Sequence, residues 1–402
     1  MRMKTICLVI VLLMIGGIGM SGCLAQSNDA VIPELHITRR PIPDNEAMEY
    51  LKALGVGWNL GNTFDAIKGS WNKNADEMTL ETSWGVDKTN EAMFDALKAA
   101  GFSSVRIPVS WHDHIDGDDY RISEKWLDRV QEVVNWAYDR ELYVILNIHH
   151  DEDQFLPSSA HYAESAAYVA SIWSQLAERF KDYDDRLILE SMNEPRLIGS
   201  AYEWYLDPSA QECRDAVECL NRLNQLFVDT VRASGGNNAE RYLMVPGYDA
   251  SPDGALNEGF KLPQDSADNR IIVSVHAYTP YSFALEIGGT KEFGSQEQKR
   301  EIVGFMNRLY ERYIMGGIPV VIGEYGALRK GDNLQARVDW TAFYVVTASA
   351  RNLPCLWWDN GGFQGNGELF GLMDRKKGNF VYPEIVDAIM TYAGYDHLPD
   401  TL

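Results

Sequence analysis

The chain is predicted to fold as one α/β domain of the (β/α)8 TIM-barrel class. Two observations predict this fold. Eight short apolar runs alternate with amphipathic stretches of helical spacing, as in repeated strand–helix units. Polar residues end nearly every apolar run, and the C-terminal ends of barrel strands are where this fold carries its functional side chains. A doubly wound open sheet is the rival fold, but eight runs with polar ends favour the closed barrel.

The strand-like runs are rich in Val, Ile and Leu, as expected for parallel strands that are buried on both faces. In chain order they are Val56–Asn62, Ser104–Val109, Leu142–His149, Leu187–Asn193, Tyr242–Gly247, Ile271–Tyr278, Pro319–Glu324 and Leu353–Asp359. The amphipathic stretches predict helices at Thr89–Ala100, Glu124–Tyr138, Ala163–Phe180, Gln211–Ala233, Gln296–Met315 and Leu334–Ala350. Two of these helices are predicted to end at glycines, in Lys98–Gly101 and Arg232–Gly236, because glycine suits a left-handed C-cap.

Residues 1–22 are predicted to be a lipoprotein-type signal peptide. A basic start is followed by an apolar stretch from Ile6 to Met20, and small residues precede Cys23. The stretch is short for a transmembrane helix and resembles a bacterial lipoprotein signal, so Cys23 is expected to be lipidated and the protein to reside in the cell envelope. Ordinary secretion, with cleavage near Ala25, is the alternative. Residues 23–43 are then the anchor cysteine and a tether, and residues 44–402 form the barrel domain.

Composition limits the partners of this chain. Its net charge of −22 argues against nucleic acid, which needs a basic surface, and leaves lipidated Cys23 as the only expected membrane contact. Cys213 and Cys219 lie six residues apart in a predicted helix, on different faces, so an intrahelical disulfide is not expected. The sequence has 11 Trp, an excess that fits both a large core and a cleft that stacks sugar rings. A monomer is expected.

Two glutamates stand at the ends of buried-strand runs. Glu194 follows the run Leu187–Asn193, and Glu324 closes the run Pro319–Glu324. Parallel strands of a barrel all end at the same mouth, so two such acids can face each other there. A facing pair of carboxyl groups suggests cleavage of a glycosidic bond.

Further polar residues close the other strands. A barrel interior needs apolar residues, and burying many polar groups costs several kcal/mol unless each has a partner. Their common position at strand ends therefore indicates one site. The set comprises Asn62, Arg106, His149, His150, Asn193, His276, Tyr278, Trp357, Trp358, Asp359 and Asn360.

Seven motifs carry these residues, in order, between about residue 50 and residue 390. They are Gly57–Thr63, Val105–Pro108, Asn147–Asp151, Met192–Pro195, His276–Tyr278, Gly323–Gly326 and Trp357–Gly361. Together they resemble glycoside hydrolase family 5, and more closely its subfamily of bacterial endoglucanases and xyloglucanases. The Asn-Glu-Pro motif alone would indicate only the wider clan of retaining barrel glycosidases.

The resemblance implies a role for each residue. Glu194 would be the general acid/base and Glu324 the nucleophile, with Arg106 and Tyr278 beside the nucleophile. Asn193 would bind the sugar 2-hydroxyl. His149 and His276 would bind sugar hydroxyls or support the acid/base, and His150 would support the site. Stacking on the sugar at the cut is expected from Trp358, with Trp357 as the alternative because the doublet leaves the alignment ambiguous; Asn62, Trp84, Trp111 and Asn360 complete the expected substrate-binding set.

The chemistry sets its own requirements. A retaining mechanism needs carboxyl groups about 5–5.5 Å apart, one protonated and one ionised. Arg106 is a suitable cation to keep Glu324 ionised, since guanidinium is always charged and binds carboxylate through two donors. Burial and the neighbouring carboxylate are expected to raise the pKa of Glu194. No metal or organic cofactor is required.

Several alternatives stay open at this point. His149-His150-Asp151 can also be a metal site, although nothing else has a metal-ligand spacing. Trp84 and Trp111 can be core residues or subsite aromatics, and Asn62 can serve the cleft or a turn. Aromatic residues in the long insertion after Glu194 can line the subsites beyond the cut; they are Tyr202, Trp204 and Tyr205.

The leading functional hypothesis is a retaining endo-β-1,4-glucanase. Its substrates would be cellulose-like chains, mixed-linkage glucan or xyloglucan, with xylan or mannan as the alternative for the same chemistry. A non-catalytic glycan-binding surface lipoprotein is the rival from another class, but a binder has no reason to keep both glutamates together with Arg106. A metal-dependent hydrolase on the same fold would be inhibited by chelators.

Overall fold

The computed structural model describes residues 30–117 and 119–400, and its centre is a closed barrel of eight parallel strands. Each strand pairs with its neighbours in the sequence, and the first strand closes the barrel against the last, with Gly57 opposite Leu356. All eight predicted strands are confirmed, with ends that shift by a few residues. They are β1 Gly57–Leu60, β2 Ser104–Ile107, β3 Tyr143–Asn147, β4 Leu187–Glu190, β5 Leu243–Pro246, β6 Ile271–His276, β7 Val320–Tyr325 and β8 Cys355–Asp359.

Helices surround the barrel, and all six predicted helices are present. Among the described residues the helices are α1 Glu46–Leu54, α2 Glu91–Ala100, α3 Glu124–Tyr138, α4 Tyr162–Phe180, α5 Gln211–Ala233, α6 Pro252–Leu256, α7 Tyr281–Ala284, α8 Gln296–Arg312, α9 Leu334–Ser349 and α10 Pro383–Tyr392, of which α2, α3, α4, α5, α8 and α9 are the predicted six. Helices α3 and α5 begin and end at the predicted residues. The β5–β6 crossover departs from the regular pattern, because it carries only the five-residue helix α6.

Helix α5 shows how the sequence pattern produces the packing. Its apolar residues recur at helical spacing, and Leu220, Leu223, Phe227 and Val231 are all buried against the barrel. Cys213 and Cys219 of the same helix are buried free thiols, with no disulfide between them. Helix α2 ends at Gly101, whose φ of 101° is the left-handed cap that the sequence predicted.

The segment before the barrel corrects part of the predicted tether. Residues 30–43 lie along the barrel, with Leu35 and Ile37 among the apolar side chains packed against the core. Backbone bonds fix the segment, since the amide of Arg40 donates to the carbonyl of Ala350 at 2.7 Å. A polar, proline-containing segment can still pack against the domain if its few apolar residues contact apolar surface there. The predicted signal peptide and Cys23 lie outside the described residues.

Within the part of the chain that the structure describes, no helix combines the length and the apolar character needed to span a bilayer.

Candidate active site

Glu324 is the second-last residue of β7, inside the barrel mouth, and only 4% of its surface is exposed. Its Oε1 accepts a hydrogen bond from Nη1 of Arg106 at 2.6 Å. Its Oε2 accepts one from the hydroxyl of Tyr278 at 2.8 Å. Both carboxylate oxygens are therefore held by donors, which fixes the group in one orientation.

Arg106 on β2 links several of the predicted residues. Its Nη2 donates to Oδ1 of Asn193 at 2.8 Å, and its Nε donates to Oε2 of Glu190 at 2.7 Å. The guanidinium is fully buried. Burial lowers the pKa of Arg106, but the negative charges of Glu190 and Glu324 outweigh this effect and raise it above its ordinary value. Arg106 is therefore a permanent cation at the base of the site.

Glu190 is a functional candidate that the sequence interpretation missed. It is fully buried at the end of β4 and also accepts hydrogen bonds from the hydroxyl of Ser274 at 2.6 Å and from Nδ2 of Asn147 at 3.1 Å. The available signal was an acidic residue inside the apolar run Leu187–Glu190, which is costly to bury without partners. The functional role was assigned instead to Glu194 of the Asn-Glu-Pro motif, four residues later.

Glu194 follows β4 and faces His276, the last residue of β6. Nδ1 of His276 lies 2.7 Å from Oε1 of Glu194 and 3.7 Å from Oε1 of Glu324. The backbone of β7 lets the ring come this close, since a Cβ on Gly323 would lie 3.3 Å from Nε2 of His276.

The protonation of this pair corrects a prediction. Burial raises the pKa of Glu194, but the hydrogen bond with His276 and the charge of that ring outweigh it, so the pKa is lowered rather than raised. Burial lowers the pKa of His276, but Glu324 and Glu194 outweigh it and raise the pKa. The proton of this pair therefore favours His276 in the free site, and it reaches a leaving group only after it passes to Glu194.

The two glutamates meet as the predicted chemistry requires. Glu194, His276 and Glu324 each offer a polar atom within 4.8 Å of the others. This spacing fits carboxyl groups about 5–5.5 Å apart, which is the retaining arrangement, better than the separation of about 6.5–9.5 Å in inverting enzymes.

Trp358 and His149 form one wall of the site. Trp358 is 8% exposed, and its ring lies parallel to the ring of His149, with centroids 5.7 Å apart and 4° between the planes. Gly61 leaves space for the indole, since a Cβ there would lie 2.8 Å from it. Burial, followed by the charge of His150, lowers the pKa of His149 well below its ordinary value, so this ring is neutral.

Three predicted substrate-binding residues serve the core or a loop instead. Trp357 is fully buried and donates its indole N–H to the carbonyl of Phe370 at 2.9 Å, because adjacent strand residues point to opposite faces. Trp111 is also fully buried and donates to the carbonyl of Asn147. The side chain of Asn360 is used within its own loop, where it bonds the backbone of Gly362, Glu368 and Phe370.

The other predicted binding residues lie near the wall. His150 packs edge-on against His149, and the ring of Trp84 lies 5.6 Å from that of His150. Burial lowers the pKa of His150, but Glu152 and Asp65 outweigh it and raise the pKa to about 9. Asn62 has a φ of 57° and donates its backbone N–H to Asp65, so the structure shows its turn role.

The predicted metal alternative is not supported by the donor set. Asp151 turns away from the histidine pair and accepts hydrogen bonds from the backbone of Trp111 and the hydroxyl of Tyr168. Asp65 does approach both histidines within 4.8 Å. Its carboxylate, however, already accepts two backbone N–H groups, and a protonated His150 is a poor metal ligand.

The side of the cleft beyond Glu194 carries a second missed residue, Arg196. Its Nη1 donates to the carbonyl of Glu194 at 2.9 Å and to Oε1 of Glu152 at 3.1 Å. Trp204, which is 64% exposed, stacks over the guanidinium with 4.1 Å between the Arg196 carbon and the ring centroid. One face of this indole is thus covered and the other is open.

Comparisons with known proteins identify the family of this chain. A family model for cellulase (glycosyl hydrolase family 5) matches residues 70–364. Endoglucanase B of Ruminococcus albus is 40% identical over 377 residues, which are 93% of this chain and 87% of that protein. Cellulase/esterase CelE of Acetivibrio thermocellus is 41% identical over 365 residues, but this chain spans only 42% of its length.

Solved structures extend the similarity to the whole barrel. A mutant family 5 lichenase from Caldicellulosiruptor sp. F32, in complex with cellotetraose, is 54% identical with a TM-score of 0.88 and covers 90% of this chain and 99% of its own. A family 5 xyloglucan-specific endo-β-1,4-glucanase from a metagenomic library, with cellotriose, is 37% identical with a TM-score of 0.79, covering 86% of this chain and 98% of its own. With matches of this extent, and with the paired glutamates in place, the chain belongs to glycosyl hydrolase family 5.

Proposed function

We propose that this protein is a retaining endo-β-1,4-glucanase that cuts internal bonds of β-glucan chains by double displacement. The observation that carries the proposal is the pair Glu194 and Glu324. Their carboxylate oxygens lie within 4.8 Å of each other, and the two groups have different partners. Glu324 contacts a buried cation and a tyrosine hydroxyl, whereas Glu194 contacts the ring of a histidine. One carboxyl group is thus prepared to attack and the other to move a proton.

In the first step, an oxygen of Glu324 attacks the anomeric carbon and forms a glycosyl ester. The bond from that carbon to the leaving sugar breaks, and the proton on Glu194 passes to the leaving oxygen. In the second step, Glu194 takes a proton from water, the water oxygen bonds to the anomeric carbon, and Glu324 leaves as a carboxylate. His276 lies 2.7 Å from Glu194 and can exchange a proton with it before the first step and after the second.

The sugar at the cut is bound by Asn193, His149 and Trp358 in this proposal. Oδ1 of Asn193 is held by Arg106, which aims its amide toward the sugar 2-hydroxyl beside the nucleophile. Trp358 offers its indole as a stacking platform, and Trp84 with protonated His150 continues the same wall. On the leaving-group side, Trp204 presents its open face to the next sugar ring.

The substrate class follows from the relatives and from the cleft. The similar lichenase and the xyloglucan-specific enzyme are named for different β-glucans, and both structures hold cello-oligosaccharides. We therefore propose a cello-oligosaccharide backbone as the recognised unit, with mixed-linkage glucan and xyloglucan among the substrates. Xylan and mannan remain the alternative main substrates of the same chemistry.

The test is an assay of residues 24–402 on carboxymethyl-cellulose, barley β-glucan, xyloglucan, xylan and glucomannan, beside Glu324→Gln. The expected result is cleavage of a β-1,4-glucan by the wild type and a loss of at least about 10⁴-fold in the variant. Glu240→Gln is the matched control, because it makes the same chemical change at an exposed position. If neither protein cuts any polymer but both bind one, the glycan-binding function replaces the enzymatic one.

We also propose export as a cell-envelope lipoprotein acylated at Cys23, supported by the order of basic, apolar and small residues before it. Metabolic labelling with a tagged fatty acid should mark the full chain and fail to mark Cys23→Ser. Unlabelled wild type found in the culture medium would favour secretion. A single mass of one chain in light scattering tests the proposed monomer.

A further inference from the structure

One buried cation in the site serves two buried carboxylates. Arg106 contacts Glu324 through Nη1 at 2.6 Å and Glu190 through Nε at 2.7 Å. Both Arg106 and Glu190 have no exposed side-chain surface. The network therefore holds one positive and two negative charges away from solvent.

Glu190 accepts every hydrogen bond that the structure gives its side chain, so each of its contacts is with a donor. Its Oε2 receives Arg106 Nε and Asn147 Nδ2, and its Oε1 receives the hydroxyl of Ser274. These donors come from β2, β3 and β6, so four strands fix the group. No sugar atom can reach it, since it is fully buried beneath Arg106.

The charge balance changes during the reaction, on the proposed roles of Glu194 and Glu324. Glu324 loses its negative charge when it becomes the glycosyl ester. Without Glu190, this step would leave Arg106 as an unpaired buried cation, which is a costly state. With Glu190, the guanidinium keeps a partner at 2.7 Å throughout.

We propose that Glu190 is a positioning residue that acts as the permanent counter-ion of Arg106 and so makes formation of the glycosyl-enzyme possible. Because the guanidinium is attracted to both carboxylates, Glu190 weakens its hold on Glu324, and Glu324 can then attack. It also balances the guanidinium after the ester has formed. Glycosylation benefits from both effects, whereas deglycosylation restores the charge of Glu324 and depends on Glu190 less.

The experiment separates these two steps with a 2-deoxy-2-fluoro-cellobioside that carries a dinitrophenolate leaving group. Its inactivation rate measures glycosylation, and reactivation of the labelled enzyme measures deglycosylation. In Glu190→Gln, we expect inactivation to slow by about 100-fold, as expected when a buried charge loses its partner, while reactivation slows by less than tenfold or accelerates. Loss of folded protein alone cannot produce such a split.

Ser274→Ala is the matched control, because it removes a hydrogen bond to the same carboxylate and keeps its charge. We expect its two rates to change by similar small factors. Equal slowing of both steps in Glu190→Gln, or a split of the same size in Ser274→Ala, overturns the counter-ion role. If the wild type itself is not labelled on Glu324, the proposed nucleophile fails, which is a different result.

Chemical rescue provides a second test if Glu190→Gln folds poorly. Glu190→Ala opens space for a small molecule beside Arg106. Formate, an anion, should raise the kcat/KM of this variant at least tenfold. Formamide, its neutral analogue, should not raise it. Equal rescue by both compounds would show that shape rather than charge is needed and would overturn the proposal.

Discussion

At the scale of the residue, the two central glutamates differ in what holds them. Glu324 lies between Arg106 and Tyr278, which are both fixed donors. Glu194 faces His276, whose ring can give or take a proton. The same side-chain type therefore serves as a nucleophile in one position and as a proton carrier in the other, because a cation stabilises only the charged form and a histidine tolerates both.

The tryptophan doublet gives a prediction that separates function from packing. Trp358→Ala should lower kcat/KM on soluble β-glucan by about 100-fold, since the sugar at the cut loses its platform, with little change in Tm. Trp357→Ala should lower the free energy of unfolding by about 3–5 kcal/mol, because its fully buried indole leaves a cavity. Calorimetry and kinetics on both variants check this, and the reverse pattern would show that the platform has been assigned to the wrong residue.

Asp249 allows a test of pH dependence. Burial, followed by the charge of Glu194, raises its pKa to about 9, above the ordinary 3.8. A group whose folded pKa is raised stabilises the protein below its unfolded pKa, and this stability is lost as pH rises through the folded value. Asp249→Asn carries no such charge, so its Tm should equal that of the wild type near pH 4 and exceed it increasingly toward pH 9.

The control for that series is Asp268→Asn, which makes the same change on the surface. Its Tm difference from the wild type should stay flat over the range. A flat difference for Asp249→Asn as well would show that this carboxyl group ionises normally in the folded protein.

At the scale of the element, the segment 30–43 behaves as part of the barrel domain. Alternate side chains face the core, with Leu35 and Ile37 inward and His36 and Thr38 exposed. The hydroxyl of Tyr392 on α10 accepts a hydrogen bond from the amide of Leu35 at 2.9 Å. The segment thus covers apolar surface that the helices would otherwise leave in water.

Removal of this segment should therefore destabilise the barrel. A protein of residues 44–402 should have a Tm about 5 °C below that of residues 30–402, since several half-buried aliphatic side chains lose their contacts. Ile37→Asp should show part of this loss, and Thr38→Asp, at the exposed neighbouring position, should show none. Equal Tm values for the two lengths would mean that the segment only rests on the surface.

The elements also show how much of the fold can be predicted from the sequence. Helices α3 and α5 were predicted to the residue, and every barrel strand was found, because their patterns are long and regular. The segment 30–43 was predicted as a tether because its polar residues and prolines resemble a linker, and nothing local reveals the groove that it fills. The contacts that hold the segment come from helices at the other end of the chain, so the local sequence does not reveal them.

At the scale of the whole molecule, closure of β1 against β8 brings residues from both ends of the chain to one mouth. Indole Nε1 of Trp58 donates to Oδ2 of Asp359 at 2.9 Å, across 301 positions in the sequence. Arg375, from the last loop, donates to the hydroxyl of Thr63. The site therefore forms only when the barrel is complete.

The net charge of −22 makes self-repulsion a property of the whole chain. Raising NaCl from 10 to 200 mM at pH 7 should raise the Tm by a few degrees, because screening weakens this repulsion. The same change near the isoelectric point of about 4.7 should have little effect. A Tm that falls with salt at pH 7 would show that specific ion pairs outweigh the general repulsion.

The sequence by itself determined the barrel, the two glutamates and most of their partners, since strand periodicity fixes which residues reach the mouth. Only the tertiary structure decided which indole of the doublet faces the sugar, that Trp111 and Asn360 serve packing and a loop, and that Arg106 is shared with Glu190. It also reversed the expected pKa of Glu194. The physical reason is that a side chain's position along a strand is local information, whereas its direction, its charge partners and its burial depend on strands that are distant in sequence.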